Sequence, residues 1–127
     1  MSNALDGIRI LDLTTGPAGG IATMILADFG AEVITIEHPT RDPFISLPSA
    51  RMWRRGKHIV PLDLNSADDI YLFHELCDGA DVLVCTWRPN ALTEKGLDFE
   101  TLHEHHPHLI FCHITGFGRT GPKANYP

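Results

Sequence analysis

The chain has 127 residues, of which 43% are hydrophobic and 20% are charged, and its formal net charge is −6 with histidine neutral. Nucleic acids and anionic membranes bind basic surfaces, so this acidic balance argues against both as general partners. The length suits one domain of ordinary soluble composition.

Cysteine usage and the N-terminal segment bear on the cellular compartment. Cys77, Cys85 and Cys112 form neither a CxxC motif nor an even-numbered disulfide framework, which predicts a reduced, cytoplasmic setting. The first ten residues, "MSNALDGIRI", lack the charged leader and long apolar core of a signal peptide. No apolar run approaches the ~18 residues typical of a membrane span, so we expect no membrane.

The chain opens with a strand–turn–helix–strand pattern. A short apolar run predicts a strand over Ile8–Leu13, and "TTGPAGG" predicts a turn. A helix follows over Ile21–Phe29, where Gly30 is placed to end it, and then a strand over Ala31–Ile36. The predicted buried face of this helix consists of Ile21, Met24, Ile25 and either Leu26 or Phe29.

The next segment, His38–His58, follows no period. It contains several prolines and basic pairs, and its length beyond ordinary connections predicts a functional loop. A strand over Ile59–Leu64 comes next. Ser66 opens a helix that ends at Gly79, and Ser66-x-x-Asp69 has the form of a capping box.

The last third predicts a strand over Asp81–Thr86, a short helix over Leu97–His106 and a strand over Leu109–Thr115, before a glycine-rich loop. This alternation predicts an α/β fold: a Rossmann-like, mostly parallel sheet with helices on both faces. Ligands of such sheets bind beyond the carboxyl ends of the strands. Four loops are expected to meet there: Thr14–Gly20, Glu37–Arg55, the neighbourhood of Asn65, and Thr86–Asn90.

The glycine turn does not match a dinucleotide fingerprint. Gly16, Gly19 and Gly20 differ in spacing from G-x-G-x-x-G, although Glu37 lies near the position of the usual acid. Pro17 also removes one N–H donor from the turn. A tight strand-to-helix connection is the simpler interpretation, and a different nucleotide-bearing ligand stays open.

Basic side chains form one cluster between positions 51 and 58. A guanidinium matches the geometry of a phosphate, but a solvated loop with counter-charges explains the pattern equally well. The cluster consists of Arg51, Arg54, Arg55, Lys57 and His58.

Histidines form a second cluster in "LHEHHPHL". No pair at i and i+4 lies within the predicted helix, and no HExxH motif occurs, so we expect an exposed polar helix end and no metal site.

Two side chains after the fourth predicted strand could serve chemistry. Cys85 as a nucleophile would need a lowered pKa and a nearby base, and a buried structural thiol is the favoured interpretation. Trp87 could stack on a flat ring, with Arg88 holding a phosphate, or it could simply close the top of the sheet.

Five stretches together resemble one family. They are "LDGIRILDLTTGPAGGIATMILADFGAEVITIE", "RRGKHIVPLDL", "ADVLVCTWRPNAL", "GLDFETL" and "HPHLIFCHITGFGRTGP". In this order and spacing they resemble the N-terminal part of the family III CoA-transferases and α-methylacyl-CoA racemases. The resemblance runs from Leu5 to Pro122. It implies that residues 1–127 are the CoA-binding α/β portion of a longer two-domain fold that forms a homodimer.

The resemblance also implies the chemistry. The transferases move CoA between two carboxylic acids through intermediates on an aspartate, which makes acyl-CoA and a carboxylic acid the partners. The racemases shuttle the α-proton of an acyl-CoA between a histidine and an aspartate. In both groups the catalytic residues follow the "GFGxxGP" loop, at positions beyond this chain, so no catalytic residue is assigned within it.

Residue by residue, the resemblance implies a CoA site. Pro17 and Ala18 would lie along the pantetheine or adenine, and His38 would take the place of a basic phosphate ligand. Leu62 to Asn65 would border the adenine and its ribose phosphate. Thr86, Trp87 and Arg88 would form a wall, and Glu94 aligns with a position that is often basic. The chain departs from the family at Asn65, where Lys is common, and at Cys85–Trp87, where Glu-Asn-Phe is common.

Two other functions stay open on the sequence. A non-catalytic CoA-binding module would bind CoA without a longer enzyme, and an oxidoreductase domain would bind NAD instead of CoA.

Overall fold

The computed structural model describes residues 2–39 and 42–127 of the chain. Within them, five strands form one sheet in the order β3-β2-β1-β4-β5, and every neighbouring pair is parallel. This confirms the predicted α/β fold, and the strand order is that of a dinucleotide-binding sheet. The strands are β1 (Arg9–Leu13), β2 (Glu32–Glu37), β3 (Lys57–Pro61), β4 (Val82–Cys85) and β5 (Ile110–His113).

Helices cover both faces of the sheet. They are α1 (Gly16–Asp28), α2 (Ala50–Trp53), α3 (Ala67–Asp78), α4 (Pro89–Glu94) and α5 (Phe99–His105). Because side chains alternate along a strand, β1 contributes residues to two hydrophobic cores, one on each face of the sheet. Leu11 and Leu13 pack with Phe73 of α3 and Leu102 of α5, whereas Ile10 packs on the opposite face with residues of α1.

Helix α1 begins five residues earlier than predicted. From Gly16 onward, the segment predicted to be a turn forms the first turns of the helix. Pro17 lies near the N-terminus of the helix, where a missing N–H matters least. Gly19 allows the helix to approach β1: a Cβ built there would lie 2.2 Å from Cβ of Thr14. Gly20 makes a similar approach to the indole of Trp53.

The predicted buried face of α1 is right for Met24 but wrong for its larger members. The helix buries Met24 together with Thr23 and its three glycines, Gly16, Gly19 and Gly20. Ile21, Ile25 and Phe29 are 41%, 45% and 56% exposed. The glycines lie on the inward side, where Gly19 meets Thr14 and Gly20 meets Trp53, and the larger side chains lie on the outward side.

Two short helices were not predicted from the sequence. Helix α2 interrupts the long loop after β2, of which Thr40 and Arg41 lie outside the described residues. Helix α4 begins at Pro89, after the three residues that follow β4. The predicted capping box is also wrong, because Ser66 makes no side-chain cap and Asp69 instead accepts a hydrogen bond from the backbone N–H of Asp63.

Candidate functional site

A cavity of about 590 Å³ lies at the carboxyl ends of the strands. This volume is in the range of small-molecule sites. All four predicted loops contribute to it, which confirms that they meet at one rim. The lining residues are Thr14, Thr15, Thr35, Ile36, Glu37, His38, Asp42, Leu64, Asn65, Thr86, Trp87, Arg88, Ala91 and Lys95.

The cavity includes the point where the strand order reverses, between β1 and β4. One hydrogen bond crosses this crevice: the backbone N–H of Thr15 donates to Oγ1 of Thr86 at 2.9 Å. The bond joins the first residues after β1 to the first residue after β4. In open parallel sheets this reversal is where ligands bind.

Trp87 and Arg88 form the wall that continues from β4. The indole of Trp87 packs against the core beneath the cavity. Two contacts fix its backbone: its N–H lies 3.3 Å from Sγ of Cys85, and its carbonyl lies 2.6 Å from Nε2 of His113. The wall is therefore anchored to both β4 and β5 before any ligand binds.

Polar side chains from three segments contact one another at the cavity. Nε2 of His38 lies 3.3 Å from Oδ1 of Asp63, and the same carboxylate oxygen accepts the backbone and side-chain N–H groups of Asn65. These hydrogen bonds, led by the backbone N–H of Asn65, lower the pKa of Asp63. Oδ1 of Asn65 in turn accepts a hydrogen bond from Nζ of Lys95.

The cationic groups of the cavity differ in their partners. Glu37, an acidic lining residue, is paired with Arg54 at 2.8 Å. Among the described residues, no carboxylate pairs with Arg88 or with Lys95. Since no carboxylate of residues 2–39 and 42–127 neutralises their charges, these two side chains can bind an anionic ligand.

The structure gathers five of the nine predicted binding residues at the cavity. These five are His38, Asn65, Thr86, Trp87 and Arg88. The other four do not line it: Pro17 and Ala18 are exposed in the first turn of α1, Leu62 is buried in the core, and Glu94 is exposed on α4.

Four lining residues lie outside the predicted loops: Thr35, Ile36, Ala91 and Lys95, of which Lys95 alone carries a charge. The predicted basic position was aligned with Glu94, one residue earlier. Because α4 ends at Glu94, Lys95 serves as its C-cap and faces the cavity, whereas Glu94 points to solvent. The signal that could have found it was Pro89, a helix-starting residue shortly after β4.

The basic cluster of residues 51–58 is largely engaged with carboxylates. Arg54 pairs with Glu37, Arg55 pairs with Asp28, and Lys57 pairs with Asp12. The interpretation as a loop with counter-charges therefore fits these three side chains better than a phosphate site.

The predicted exposed histidine end is partly wrong. His103, His105 and His108 are exposed, but His106 is only 4% exposed. Its ring contacts His74 of α3 and the carboxylate of Asp78, so it belongs to the packing of α5 on α3. The sequence separation of 32 residues hid this contact.

Cys85 matches the interpretation as a buried structural thiol. It is fully buried, and burial raises its pKa to about 12. A thiol that stays protonated at neutral pH is a poor nucleophile.

Among residues 2–39 and 42–127, no group of three or more His, Cys, Asp or Glu side chains is arranged to hold a metal ion. No helix in the described part of the chain has both the length and the apolar character needed to cross a membrane.

Comparison with known proteins decides the family. The sequence model of CoA-transferase family III matches residues 5–127. The chain belongs to family III of the CoA-transferases.

Relatives within the CoA-transferases match along nearly the whole chain. The cinnamoyl-CoA:phenyllactate CoA-transferase of Clostridium sporogenes is 35% identical over 99% of this chain and 34% of its own length. The succinyl-CoA:glutarate CoA-transferase of Mus musculus is 39% identical over 95% of this chain and 30% of its own length. The chain therefore spans about one third of the length of the curated relatives it matches.

The fold agrees with a solved structure. A crystal structure of a Mycobacterium tuberculosis protein superposes with a TM-score of 0.91 at 33% identity, covering 100% of this chain and 38% of that chain. The parallel sheet and its helices are thus arranged as in a longer protein of similar sequence.

Proposed function

We propose that this chain is the CoA-binding portion of a family III CoA-transferase, an enzyme that moves CoA between two carboxylic acids. The observation that carries the proposal is the pair Arg88 and Lys95, two cations without carboxylate partners among the described residues, at one cavity of a CoA-transferase chain. CoA presents phosphates, and guanidinium and ammonium groups bind phosphate through charge-assisted hydrogen bonds.

The ligand would lie along the carboxyl edge of the sheet. Arg88 and Lys95 would hold phosphates of CoA, and Trp87 would provide an apolar wall for its adenine or pantetheine. Asn65 would border the ribose phosphate, because it already holds Lys95 in place. His38 would contribute a further polar contact on the same side as Asn65, since both contact Asp63.

Four other predicted residues play a smaller part in this proposal. Thr86 would shape the crevice through its bond to Thr15 rather than hold a phosphate. Pro17 and Ala18 would touch only a ligand that extends beyond the cavity across the first turn of α1. Leu62 would act from the core, and Glu94 would leave the phosphate contact to its neighbour Lys95.

The chemistry would use a carboxylate outside residues 1–127. An aspartate would attack the thioester carbonyl of the donor acyl-CoA, so that the thiolate of CoA leaves and a mixed anhydride forms on the enzyme. The thiolate would then attack the aspartyl carbonyl of this anhydride, which releases the donor acid and leaves an enzyme-bound CoA thioester for transfer to the acceptor. Such covalent catalysis divides one difficult transfer into easier steps. This chain would hold CoA so that its thiolate stays bound, and the complete enzyme would act in the cytoplasm as a homodimer with an acyl-CoA and a carboxylic acid as substrates.

Calorimetric titration of the chain with CoA tests this assignment, and a separate titration with NAD provides the comparison. The Lys95→Gln variant removes the cation, and Glu94→Gln is its matched control because it changes the next residue, which is exposed and does not line the cavity. Loss of one charge-assisted hydrogen bond predicts a Kd for CoA that is about tenfold higher in Lys95→Gln.

The expected pattern is binding of CoA and not NAD, weakened by Lys95→Gln and unchanged or slightly strengthened by Glu94→Gln. Binding of NAD alone would overturn the assignment in favour of an oxidoreductase domain. Equal Kd values for CoA in both variants would show that Lys95 does not bind the ligand.

A further inference from the structure

A buried ion pair lies directly behind the cavity. Nζ of Lys57, at the start of β3, is 3.2 Å from Oδ2 of Asp12 in β1, and each side chain is only 2% exposed. Asp12 faces α1, because its neighbours Leu11 and Leu13 face the opposite core. Neither residue lines the main cavity.

The carboxylate of Asp12 gathers donors from four segments of the chain. Its Oδ1 accepts from the backbone N–H of Thr14 at 3.0 Å and from the hydroxyl of Thr14 at 2.5 Å. Its Oδ2 accepts from the hydroxyls of Thr23 at 2.8 Å and Thr35 at 3.0 Å, and from Lys57. Thr14 and Thr35 line the cavity, so the carboxylate connects two of its walls.

Lys57 connects the same carboxylate to α1. Its ammonium group donates to the carbonyl of Gly20 at 3.0 Å and to the hydroxyl of Thr23 at 2.6 Å. With Asp12, these contacts use all three of its hydrogens. The first turns of α1 are thereby held to β1 at the place where the chain enters the cavity rim.

Stability alone does not account for such a pair. Removing two charges from water is expensive, and apolar residues of similar volume often stabilise a core as well or better. What an apolar pair would not supply is a fixed direction for Thr14 and Thr35. When the hydrogens of Lys57 and the oxygens of Asp12 are all hydrogen-bonded, these bonds favour a single arrangement of the residues around them.

We infer that the Asp12–Lys57 pair is a positioning device for the ligand cavity, which holds the Thr14–Thr15 turn at a fixed place relative to β2 and α1. The inference rests on the proposed function, because the ligand it positions for is CoA. Asp12, Lys57 and Thr23 are positioning residues: they act on the ligand through Thr14, Thr15 and Thr35.

Thr23→Val tests the inference without altering the cavity lining. Valine keeps the shape of the side chain and removes the hydroxyl shared by Asp12 and Lys57, whereas Thr23→Ser retains the hydroxyl and should restore the wild-type behaviour. Thr101→Val is the matched control, because its hydroxyl also bonds a carboxylate, that of Asp98, on the opposite face of the sheet.

Two readouts are needed. The first, in the ligand-free chain, is hydrogen exchange at the amides of Thr14 and Thr15, compared with an amide of β4. The second is the Kd for CoA. In Thr23→Val we expect exchange at the turn to be about tenfold faster with β4 unchanged, and the Kd to be about fivefold higher. Thr23→Ser and Thr101→Val should match the wild type at both.

The double variant Asp12→Asn with Lys57→Met provides a second test if Thr23→Val does not fold. It removes both charges, so no buried charge is left without a partner. We therefore expect a folded core in which the Thr14–Thr15 turn is more mobile. Equal acceleration at the turn and at β4 in either variant would mean a role in general stability and would overturn the inference, as would unchanged exchange at the turn.

The experiments distinguish failure of the proposed function from failure of the positioning role. A wild-type chain that does not bind CoA overturns the proposed function, while exchange in the ligand-free chain still decides the positioning role. A chain that binds CoA with the same Kd in all variants retains the proposed function and loses the positioning role.

Discussion

Nδ1 of His74 in α3 lies 2.9 Å from Nε2 of His106, whose other ring nitrogen lies 2.9 Å from the carboxylate of Asp78. The two imidazoles share one hydrogen bond, so only one proton can lie between them. Protonation of both rings would replace this bond with repulsion between like charges.

Acid should therefore destabilise the fold through His74. Burial, together with the nearby charges of His106 and His105, lowers its pKa below the usual 6.5, and Asp78 opposes this. The unfolded chain then binds the proton more readily than the folded chain, so stability is complete above pH 6.5 and declines as the pH falls through that value. In His74→Gln, the midpoint temperature of thermal unfolding should fall less with decreasing pH than it does in the wild type.

The exposed His58 supplies the control for this measurement. Thermal unfolding of His58→Gln should follow the wild type at each pH. If His74→Gln also follows the wild type between about pH 7 and about pH 5, the His74–His106 contact does not govern acid stability.

Thiol labelling should distinguish one cysteine from the other two. Burial raises the pKa of Cys77 and of Cys85 to about 12, whereas Cys112 is exposed on β5. Only the thiolate reacts, so a thiol reagent at about pH 8 should label one cysteine in the folded chain and all of them in denaturant. Mass spectrometry counts the labels, and the folded Cys112→Ser variant should take up none. Rapid labelling at Cys85 would contradict the structural role assigned to it.

Gly19→Ala should destabilise the chain strongly. The added Cβ would meet the side chain of Thr14 at 2.2 to 2.5 Å, and Thr14 is itself held by two hydrogen bonds to Asp12. Overpacking of this kind is expected to lower the free energy of unfolding by about 3 kcal/mol, as urea denaturation would measure.

Gly116→Ala is the corresponding control, because a Cβ there meets nothing within 4 Å. Its urea midpoint should equal that of the wild type. A Gly19→Ala variant with the same midpoint would show that α1 can shift away from Thr14 at little energetic expense.

Arg88→Gln should weaken CoA binding and make it less sensitive to salt. No carboxylate in the described part of the chain pairs with Arg88, so its charge can act on a phosphate, and we expect a Kd about tenfold higher at low salt and a smaller difference at high salt. Arg119→Gln is the control, since Arg119 pairs with Glu100 and does not line the cavity. Titrations at two salt concentrations measure the effect, and equal losses in both variants would indicate general electrostatic attraction rather than a site.

The sequence predicted the alternation of strands and helices because each strand has its own apolar run. It also predicted the rim where Thr86, Trp87 and Arg88 meet His38, since parallel strands place their following loops at the same edge. The start of α1 could not be predicted in the same way. Its first turns contain three glycines, of which Gly19 packs on Thr14 and Gly20 packs on Trp53, and glycine-rich segments are typical of turns.

Contacts between distant segments were likewise hidden. The burial of His106 depends on His74, and the ion pair of Lys57 depends on Asp12, partners that lie 32 and 45 residues away along the chain. Local patterns carry no signal for such pairs. The cavity side chain Lys95 was missed for a different reason: a one-residue offset decides which side chain at the end of a short helix faces a ligand.

The outward row of Ile21, Ile25 and Phe29 on α1 has a practical consequence for every titration above. An exposed apolar helix face favours self-association, and calorimetry needs concentrated protein. Heat from dissociation on dilution would then add to heat from binding. Titrations at two protein concentrations separate the two contributions, because a Kd that belongs to the cavity is the same at both.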